Sequence, residues 1–442
     1  MLRIIISLLI LIVCVFIIVS KRESPLYWYM GGIFLFSSDI SLFGIHIIYL
    51  FAIVLLISVL LRKDGIKVIL EFPLAQVFLT YILGIFLLGL VSPNISLFDR
   101  FIFPIKKILS TVITLPLCYY YATKEKSNEV FVEVCMKLWF FIFLYGLFEF
   151  VFAWNPINNL ISSIYGNNQI EFFTKKSVHF GRFLGASVYN ASFNFGYVSS
   201  VFGLFSIYLY STNKRKIYLI SSLAGLLGCL FCGSRSVILA CFIGYVFYLI
   251  NALSFQRNFK IALVSIPIIL IIIFNVPLFK DLVDSTLNVI GGGDEFVGSS
   301  LEMRTTQYRA AVKLFKNSPI VGNGLFYFVE VMGWDTQKSP PYEGVFAQIQ
   351  GLESYLFNLM IEQGIFGIIL SVLLFFSLFY YYIKNKKTDR QLASLGLSFL
   401  VLFLAFSMAT GELGSWWYTM PFIGKIIAQL KYEGSLRSEN VA

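Results

Sequence analysis

The sequence predicts an all-α polytopic membrane protein of about 12–13 transmembrane helices with one large outer loop. Three observations carry that. Of 442 residues, 58% are hydrophobic and only 13% are Asp, Glu, Lys or Arg, against about 25% charged in an ordinary soluble domain. The mean hydropathy is +0.80. The apolar residues fall in blocks of about 17 or more, enough to cross a bilayer as helix. A soluble multidomain protein would need polar faces between these blocks.

The first block, 3–20, reads as an uncleaved span, because no small-residue cleavage pattern follows it. Segment 26–38 is short and holds Tyr27, Trp28 and Tyr29 at one end, as an interfacial belt would. Further spans are expected at 41–61, 73–91, 101–121, 131–153, 190–210, 217–233, 236–253 and 260–277. After a long polar stretch come 352–382, 392–410 and about 415–430. The chain divides accordingly into an N-terminal helix bundle (1–277), a large extracytoplasmic loop with a surface helix (278–351) and C-terminal membrane helices (352–442).

The net charge of +10 reports topology here and not nucleic-acid binding. Its lysines and arginines sit in short clusters at Arg62/Lys63/Lys67, Lys124/Lys126, Lys214/Arg215/Lys216, Arg257/Lys260 and Lys384/Lys386/Lys387/Arg390. With these spans, all five fall on one side, which the positive-inside bias makes cytoplasmic. The loops at 154–189 and 278–351 then face outward. The N-terminus is outside if 26–38 spans and inside if it does not. Lys106 and Lys107 fit poorly inside a span and suggest a re-entrant or interfacial piece. All six cysteines lie in apolar stretches, and nothing completes a metal site around Cys229-x-x-Cys232, so they read as small core residues.

Within the loop, Gly291–Gly293 and Gly298 lack the GxxxxGK[ST] pattern of a phosphate loop. Met303 to Asn317 reads as a helix on the membrane surface, apolar at Ala311, Leu314 and Phe315, with Lys313 and Lys316 on another face. Ser318 and Pro319 end it. Gly322 and Gly324 bracket a turn back toward the bilayer.

Four outward arginines run against the charge bias: Arg182, Arg235, Arg304 and Arg309. Arg304 and Tyr308 share a helix face, and Asn190 follows Arg182 closely. An arginine stays ionised and presents five donors in a planar fork, which suits a phosphate. A membrane-anchored pyrophosphate is therefore the natural guest, its charge neutralised as it leaves. Plainer readings exist for each residue. Arg235 could be a hairpin charge, Arg304 a loop ion pair, Arg182 structural, and Arg309 a solvated position. Glu353 could sit in a first helical turn, where the dipole favours a carboxylate. Glu362, deeper in the same segment, is expected to pair with another helix.

These motifs, taken together, resemble the O-antigen polymerase and ligase superfamily (Wzy-like). "RTTQYRAAVKLFKNSPIVGNG" from Arg304 resembles its Arg-x-x-x-Trp/Tyr … Pro-x-x-Gly-x-Gly signature, and "GSR" at 233–235 its Ser-Arg hairpin. "GRFLGASVYNASF" resembles its Arg-x-x-Gly … Asn segment, and "ESYLFNLMIEQGIFG" the segment after the large loop. The similarity is best from about 180 to 370.

The resemblance implies a GT-C-like fold in the bacterial cytoplasmic (inner) membrane, with the active site on the periplasmic face and no metal or other cofactor. Its implied partners are polyprenyl (undecaprenyl) diphosphate-linked oligosaccharides as donor and acceptor, with a chain-length regulator left open and no nucleic acid. Arg235 and Arg304 match the arginines that contact the diphosphate. Arg182, Arg309, Tyr308 and Asn190 are the expected binding residues around them.

Ligases of the superfamily carry His-Asn at the end of the large loop. Here that pair aligns with Glu353–Ser354, and no histidine follows residue 180. That favours a polymerase, with Glu353 as the candidate base, over a ligase transferring glycan to lipid A core. A transporter or flippase is the rival outside the family, but no internal repeat is visible. An envelope scaffold is the other, and the arginine placement argues against it.

Overall fold

The computed structural model describes residues 2–21, 24–36, 40–42, 45–93, 95–124, 128–165, 185–189, 191–252, 300–327, 354–410 and 415–439. Among them the protein is all α-helical apart from a two-residue antiparallel hairpin pairing Ser41 with His46. The helices are α1 (Leu2–Val19), α2 (Ser24–Leu35), α3 (Ile47–Leu60), α4 (Gly65–Leu70), α5 (Ala75–Val91), α6 (Asp99–Thr111), α7 (Thr114–Ala122) and α8 (Asn128–Phe152). They continue as α9 (Pro156–Tyr165), α10 (Ser192–Asn213), α11 (Lys216–Phe231), α12 (Arg235–Ala252), α13 (Ser300–Asn317), α14 (Tyr355–Asn385), α15 (Arg390–Thr410) and α16 (Trp416–Glu439).

Five helical stretches among the described residues are long and apolar enough to cross a membrane: 99–122, 128–152, 192–213, 355–385 and 390–408. Five more apolar helices run 10–17 residues. This is a polytopic membrane protein, with fewer full-length spans among the described residues than the hydropathy blocks predict. The reasons are local. The block at 41–61 opens with the Ser41–His46 hairpin and becomes helix only at Ile47. The block at 101–121 keeps its length as 99–122, with an irregular turn between Thr111 and Thr114 where the Ile113 amide reaches back to Ile108 O at 3.1 Å. Segment 26–38 shortens to α2, and Tyr29 is fully buried against the bundle instead of lying in an interfacial belt. The expected span at 260–277 lies outside the described residues.

Small residues set the closest helix pair. Gly203 of α10 and Gly225 of α11 face each other, and a Cβ on Gly225 would come 2.6 Å from Gly203 Cα. Ser206 and Ser221 bond across the same seam at 2.8 Å. In hydrocarbon, where no hydrophobic effect draws helices together, such backbone approach supplies the packing. Larger rings fill the centre. Phe422 of α16 lies within 5.2–5.8 Å, centroid to centroid, of Phe131, Phe202, Phe205 and Phe399.

Among the described residues, members of the basic clusters gather at one end of the bundle. Lys124 pairs with Asp64. Lys386 donates to Asn251 Oδ1 at 2.7 Å, Arg390 to Asn251 O at 2.7 Å, Arg437 to Lys387 O at 2.7 Å and Lys431 to Glu71 O at 2.9 Å.

The expected span at 352–382 is the largest departure. Gly364 has φ 61° and ψ −159°, so α14 is two helices meeting at a break. Tyr355 OH nevertheless donates to Ser371 Oγ at 3.0 Å. Sixteen residues of continuous helix would hold them about 24 Å apart, a gap no tyrosine–serine pair spans. The leg 355–363 therefore folds back along 365–385. Glu362 is beside the fold, not two turns into a span, and Lys107 of α6 is its electrostatic neighbour. An electrostatic neighbour on another helix is the kind of partner the sequence suggests for Glu362.

The break is closed by the turn after α13. Asn323 N donates to Ile361 O at 2.8 Å and Gly324 N to Glu362 O at 3.1 Å. In return Ile365 N donates to Pro319 O at 2.9 Å and Phe366 N to Ile320 O at 3.0 Å. Asn323 Nδ2 adds bonds to Leu314 O and Ile361 O at 3.1 and 3.0 Å. Each backbone group left unpaired in a bilayer costs several kcal/mol. The exchange supplies four of these pairings. It also explains the Pro-x-x-Gly-x-Gly pattern. Gly322 has φ 75°, and a Cβ there would lie 2.3 Å from Gln363 N; Gly324 has φ 125° and abuts Ile95.

Gly364→Ala should lower thermal stability by more than about 1 kcal/mol, since it adds left-handed strain to a Cβ 2.6 Å from Ile320 O. Gly434→Ala, where nothing lies within 4 Å, should be neutral or stabilising. Equal melting of the two variants in detergent would contradict this account.

A second prediction concerns pH. Lys124, with burial opposing and Tyr120 OH assisting at 2.9 Å, holds the Asp64 carboxyl below the usual carboxylate range. A depressed folded pKa stabilises above the unfolded value and is lost as pH falls through the folded one. The pair is part-exposed, so Asp64→Asn should cost less than about 1 kcal/mol at neutral pH. The difference in melting point from the parent should shrink as pH falls below about 4 and vanish once the pH passes the depressed folded value.

Candidate active site

The end of the bundle opposite the basic clusters collects the segments that the sequence marks. Residues 185–189, which follow the Arg182 motif, are held mainly by side chains. Glu149, near the end of α8 and 1% exposed, accepts the amides of Ala186 and Ser187 at 2.9 and 2.5 Å. Asn155 Nδ2 donates to Ser187 O at 2.7 Å and Asn158 Nδ2 to Tyr189 O at 2.8 Å. Tyr145 OH fixes Asn155 Oδ1 at 2.8 Å. A chain without regular structure can be buried only if its backbone groups find such partners. Sequence reasoning passed over Glu149. The available signal was a lone carboxylate near the end of a 25-residue apolar helix.

This segment touches the Arg235 hairpin directly. Gly185 N donates to Phe231 O at 3.0 Å, just before Gly233, whose φ of 65° makes the reversal. Arg235 is the first residue of α12. Ser234 O accepts Ile238 N at 3.1 Å, opening the helix. Gly196 of α10 packs against Cys232 and Val237, where a Cβ would meet Sγ at 2.5 Å and Cγ1 at 2.7 Å. The start of α10 and the start of α12 are therefore adjacent.

Two more helix starts join them. Ser415 Oγ donates to Asn194 Oδ1 at 2.8 Å, and Tyr197 OH meets Thr419 Oγ1 at 3.2 Å. Trp416 packs on Phe375 at 5.6 Å, and Tyr355 packs on the same Phe375 at 6.5 Å. The N-termini of α10, α12, α16 and the folded-back leg of α14 thus gather in one region. Each helix start carries unsatisfied N–H groups and roughly half a positive charge. Together they favour an anion.

Arg304 lies on α13, which rests on the folded-back leg. Ala310, Ala311 and Leu314 pack on Ile361, with Tyr327 and Phe357 beside them. Ala311 and Leu314 belong to the expected apolar face, which here packs on the leg, while Phe315 is outside the cluster. Tyr308 is 51% exposed, with its ring 5.4 Å from Phe357, so part of it packs on the leg. Arg309 is exposed. The connection from Arg304's helix to the Arg235 hairpin runs through the leg and Trp416. Arg182, Asn190 and Glu353 lie outside the described residues, as do Trp334 and Tyr342. Ser354, the residue after Glu353, is buried at the start of the leg.

Glu149→Ala should leave two buried amides without their acceptor, at a cost of about 1–3 kcal/mol each. Hydrogen exchange at Ala186 and Ser187 should then rise about tenfold or more, while Glu149→Gln, which keeps one acceptor oxygen, should show a smaller rise. Unchanged protection in the alanine variant would show that Glu149 does not hold this segment.

No curated protein matches the chain. Residues 220–372, 153 of 442, match the family Wzy_C, described as O-antigen ligase. The matched stretch begins in α11 before the Arg235 hairpin, includes α13 and its glycine turn, and ends beyond the break at Gly364. The match therefore covers the part of the chain that carries Arg235, Arg304 and the folded-back leg.

Proposed function

We propose that the chain is a membrane glycosyltransferase that moves a glycan from a polyprenyl diphosphate to a second membrane-anchored acceptor. The observation that supports this is the gathering of helix starts around the Arg235 hairpin: α12 and the folded-back leg lie within the stretch matching the O-antigen ligase family, and α10 and α16 pack between them from outside it. A cation at the first position of a helix opposes the helix dipole by about 0.3–1 kcal/mol. A diphosphate at the same place reverses that balance, since it is attracted by both the dipoles and the guanidinium.

In the proposed step an acceptor hydroxyl attacks the anomeric carbon of the donor sugar. A new C–O bond forms, the bond from that carbon to the diphosphate oxygen breaks, and the polyprenyl diphosphate leaves as the anion. Arg235 and Arg304 hold that anion, with Arg182, Arg309, Tyr308 and Asn190 binding diphosphate or glycan around them. Glu353 takes the hydroxyl proton. Because both substrates are lipid-anchored, the membrane raises their effective concentration. The basic end faces the cytoplasm under the positive-inside bias. The site then lies on the outer face of a bacterial cytoplasmic membrane, in a fold of the GT-C type.

Two acceptors fit this chemistry. The description of the matched family favours a ligase, passing a finished glycan to lipid A core. The polymerase reading, with a lipid-linked repeat unit as acceptor, rests on one sequence observation: Glu353–Ser354 stands where ligases carry His-Asn. A transporter or flippase has no comparable support.

The test uses the purified chain in nanodiscs with lipid-diphosphate-linked oligosaccharide from its host. Transfer appearing only when lipid A core is added identifies a ligase. A ladder of longer glycans without it identifies a polymerase. In either case Arg235→Ala and Arg304→Ala should each lower transfer by about 10²–10³-fold, and full activity in both variants would overturn the diphosphate clamp. Glu353→Gln should remove the acidic limb from the pH dependence of transfer, the limb set by deprotonation of the base; an unaltered profile would exclude Glu353 as base.

A further inference from the structure

The end of α8 grips the Arg235 hairpin twice. Phe231 is the last residue of α11 and stands just before the reversal at Gly233. Its ring stacks on Phe150 at 4.4 Å and on Phe143 at 6.2 Å, both residues of α8. Its carbonyl is among the last of α11, which lack intrahelical partners, and it accepts the Gly185 amide at 3.0 Å. Gly185 opens the segment that Glu149, also of α8, holds in place. Ring and backbone of the residue that launches the hairpin are thus both set from one stretch of α8.

The second grip has features beyond those of an ordinary loop anchor. Glu149 is a buried carboxylate in a helix long enough to span the membrane, a costly placement that marks functional positions. Its Oε2 receives the amides of both Ala186 and Ser187. Ser187 has φ 53°, a left-handed conformation that residues with side chains rarely adopt. Successive amides turned toward one point in this way form an anion-binding nest, and here the chain's own carboxylate fills it. Every polar group of Ser187 is engaged. Its amide goes to Glu149, its hydroxyl donates to Ile142 O at 2.8 Å, and its carbonyl accepts from Asn155 Nδ2 at 2.7 Å. Strained backbone persists only where its surroundings over-determine it, and it clusters at functional sites.

We propose that Glu149 is a positioning residue for Arg235. It touches no substrate. Its carboxylate locks the turn at Ser187, the turn fixes Gly185, and Gly185 fixes the Phe231 carbonyl four residues before Arg235. A side chain that meets a diphosphate from the start of α12 depends on the register of that hairpin. An error of about 1 Å in such a placement costs about 10²-fold in rate. Glutamine is a poor substitute, because it brings two donors to a point where two amides already converge. What the hairpin does rests on the proposed function, whereas the link from Glu149 to the hairpin is independent of it.

The experiment has two arms on the full chain in nanodiscs. The first is hydrogen exchange by mass spectrometry, read on peptides covering 185–189 and 230–235, with 198–205 of α10 as reference. Glu149→Ala should raise exchange at the hairpin about fivefold as well as at 185–189 and leave the reference unchanged. Glu149→Gln should do the same to a lesser degree, and it carries this arm if the alanine variant does not fold. Glu133→Gln, at an exposed carboxylate of the same helix, should change neither. Exchange that rises at 185–189 while the hairpin keeps its protection overturns the proposal, whether or not the chain transfers glycan. The second arm is the transfer assay. Glu149→Gln should lower kcat about 10–10²-fold with KM for the donor within about twofold of the parent. In the Arg235→Ala background the same substitution should cost less than about twofold more, because it acts through Arg235. Full additivity of the two losses would overturn the positioning role. No transfer by the parent with either acceptor would count against the proposed function alone, and the exchange arm would still decide the link.

Discussion

The need to pair every backbone group inside a bilayer governs the architecture around the site. A helix that breaks in hydrocarbon exposes carbonyls and amides together, and a broken helix persists only where another segment pairs with them. Here the other segment is the turn at Pro319–Gly324, which gives two amides and takes two at Gly364. The turn can approach only because Gly322 and Gly364 have no side chains. The placement of α13, the folded-back leg and the position of Tyr355 all follow from that exchange. Without it α14 would run on as one long helix, and its start would stand away from Trp416.

The same logic, with side chains as partners, holds residues 185–189. Glu149, Asn155 and Asn158 do for an irregular segment what the glycine turn does for the broken helix. Two non-helical pieces of chain are thus carried at one end of an otherwise helical bundle, each pinned by polar groups supplied from elsewhere. Irregular backbone at membrane depth is tolerated where it is buried in protein or lines a cavity, and both pieces border the gathered helix starts.

Much of the frame was legible in the sequence because hydropathy and charge report directly on solvent. The membrane class, a helix ending at Asn317 and the turn at the glycines follow from residue type and spacing. The break at Gly364 was not read, although its signal was present: a glycine after Glu362 and Gln363 within an apolar run. Hydropathy averages over about 19 residues, so it merges two legs that the backbone separates. Glu149 was passed over for a similar reason, since a single carboxylate hardly changes the mean of a 25-residue helix. The proximity of Lys107 and Glu362 joins residues distant in the chain, and no local pattern encodes it. The gathering of helix N-termini is likewise a property of packing, visible only once Gly196, Ser415 and Tyr355 have met their neighbours.

The apolar cluster at Ala310, Ala311, Leu314 and Ile361 is separate from the main core of the bundle. Stability within a protein is local, and small clusters open at lower free energy than the core they rest on. Arg235 begins a helix embedded in the large core, whereas Arg304 rides on a helix held by four buried residues and a few hydrogen bonds. The two arginines therefore belong to parts of unequal rigidity. Under the proposed function one side of the grip would loosen around a lipid-tethered glycan while the other kept its register.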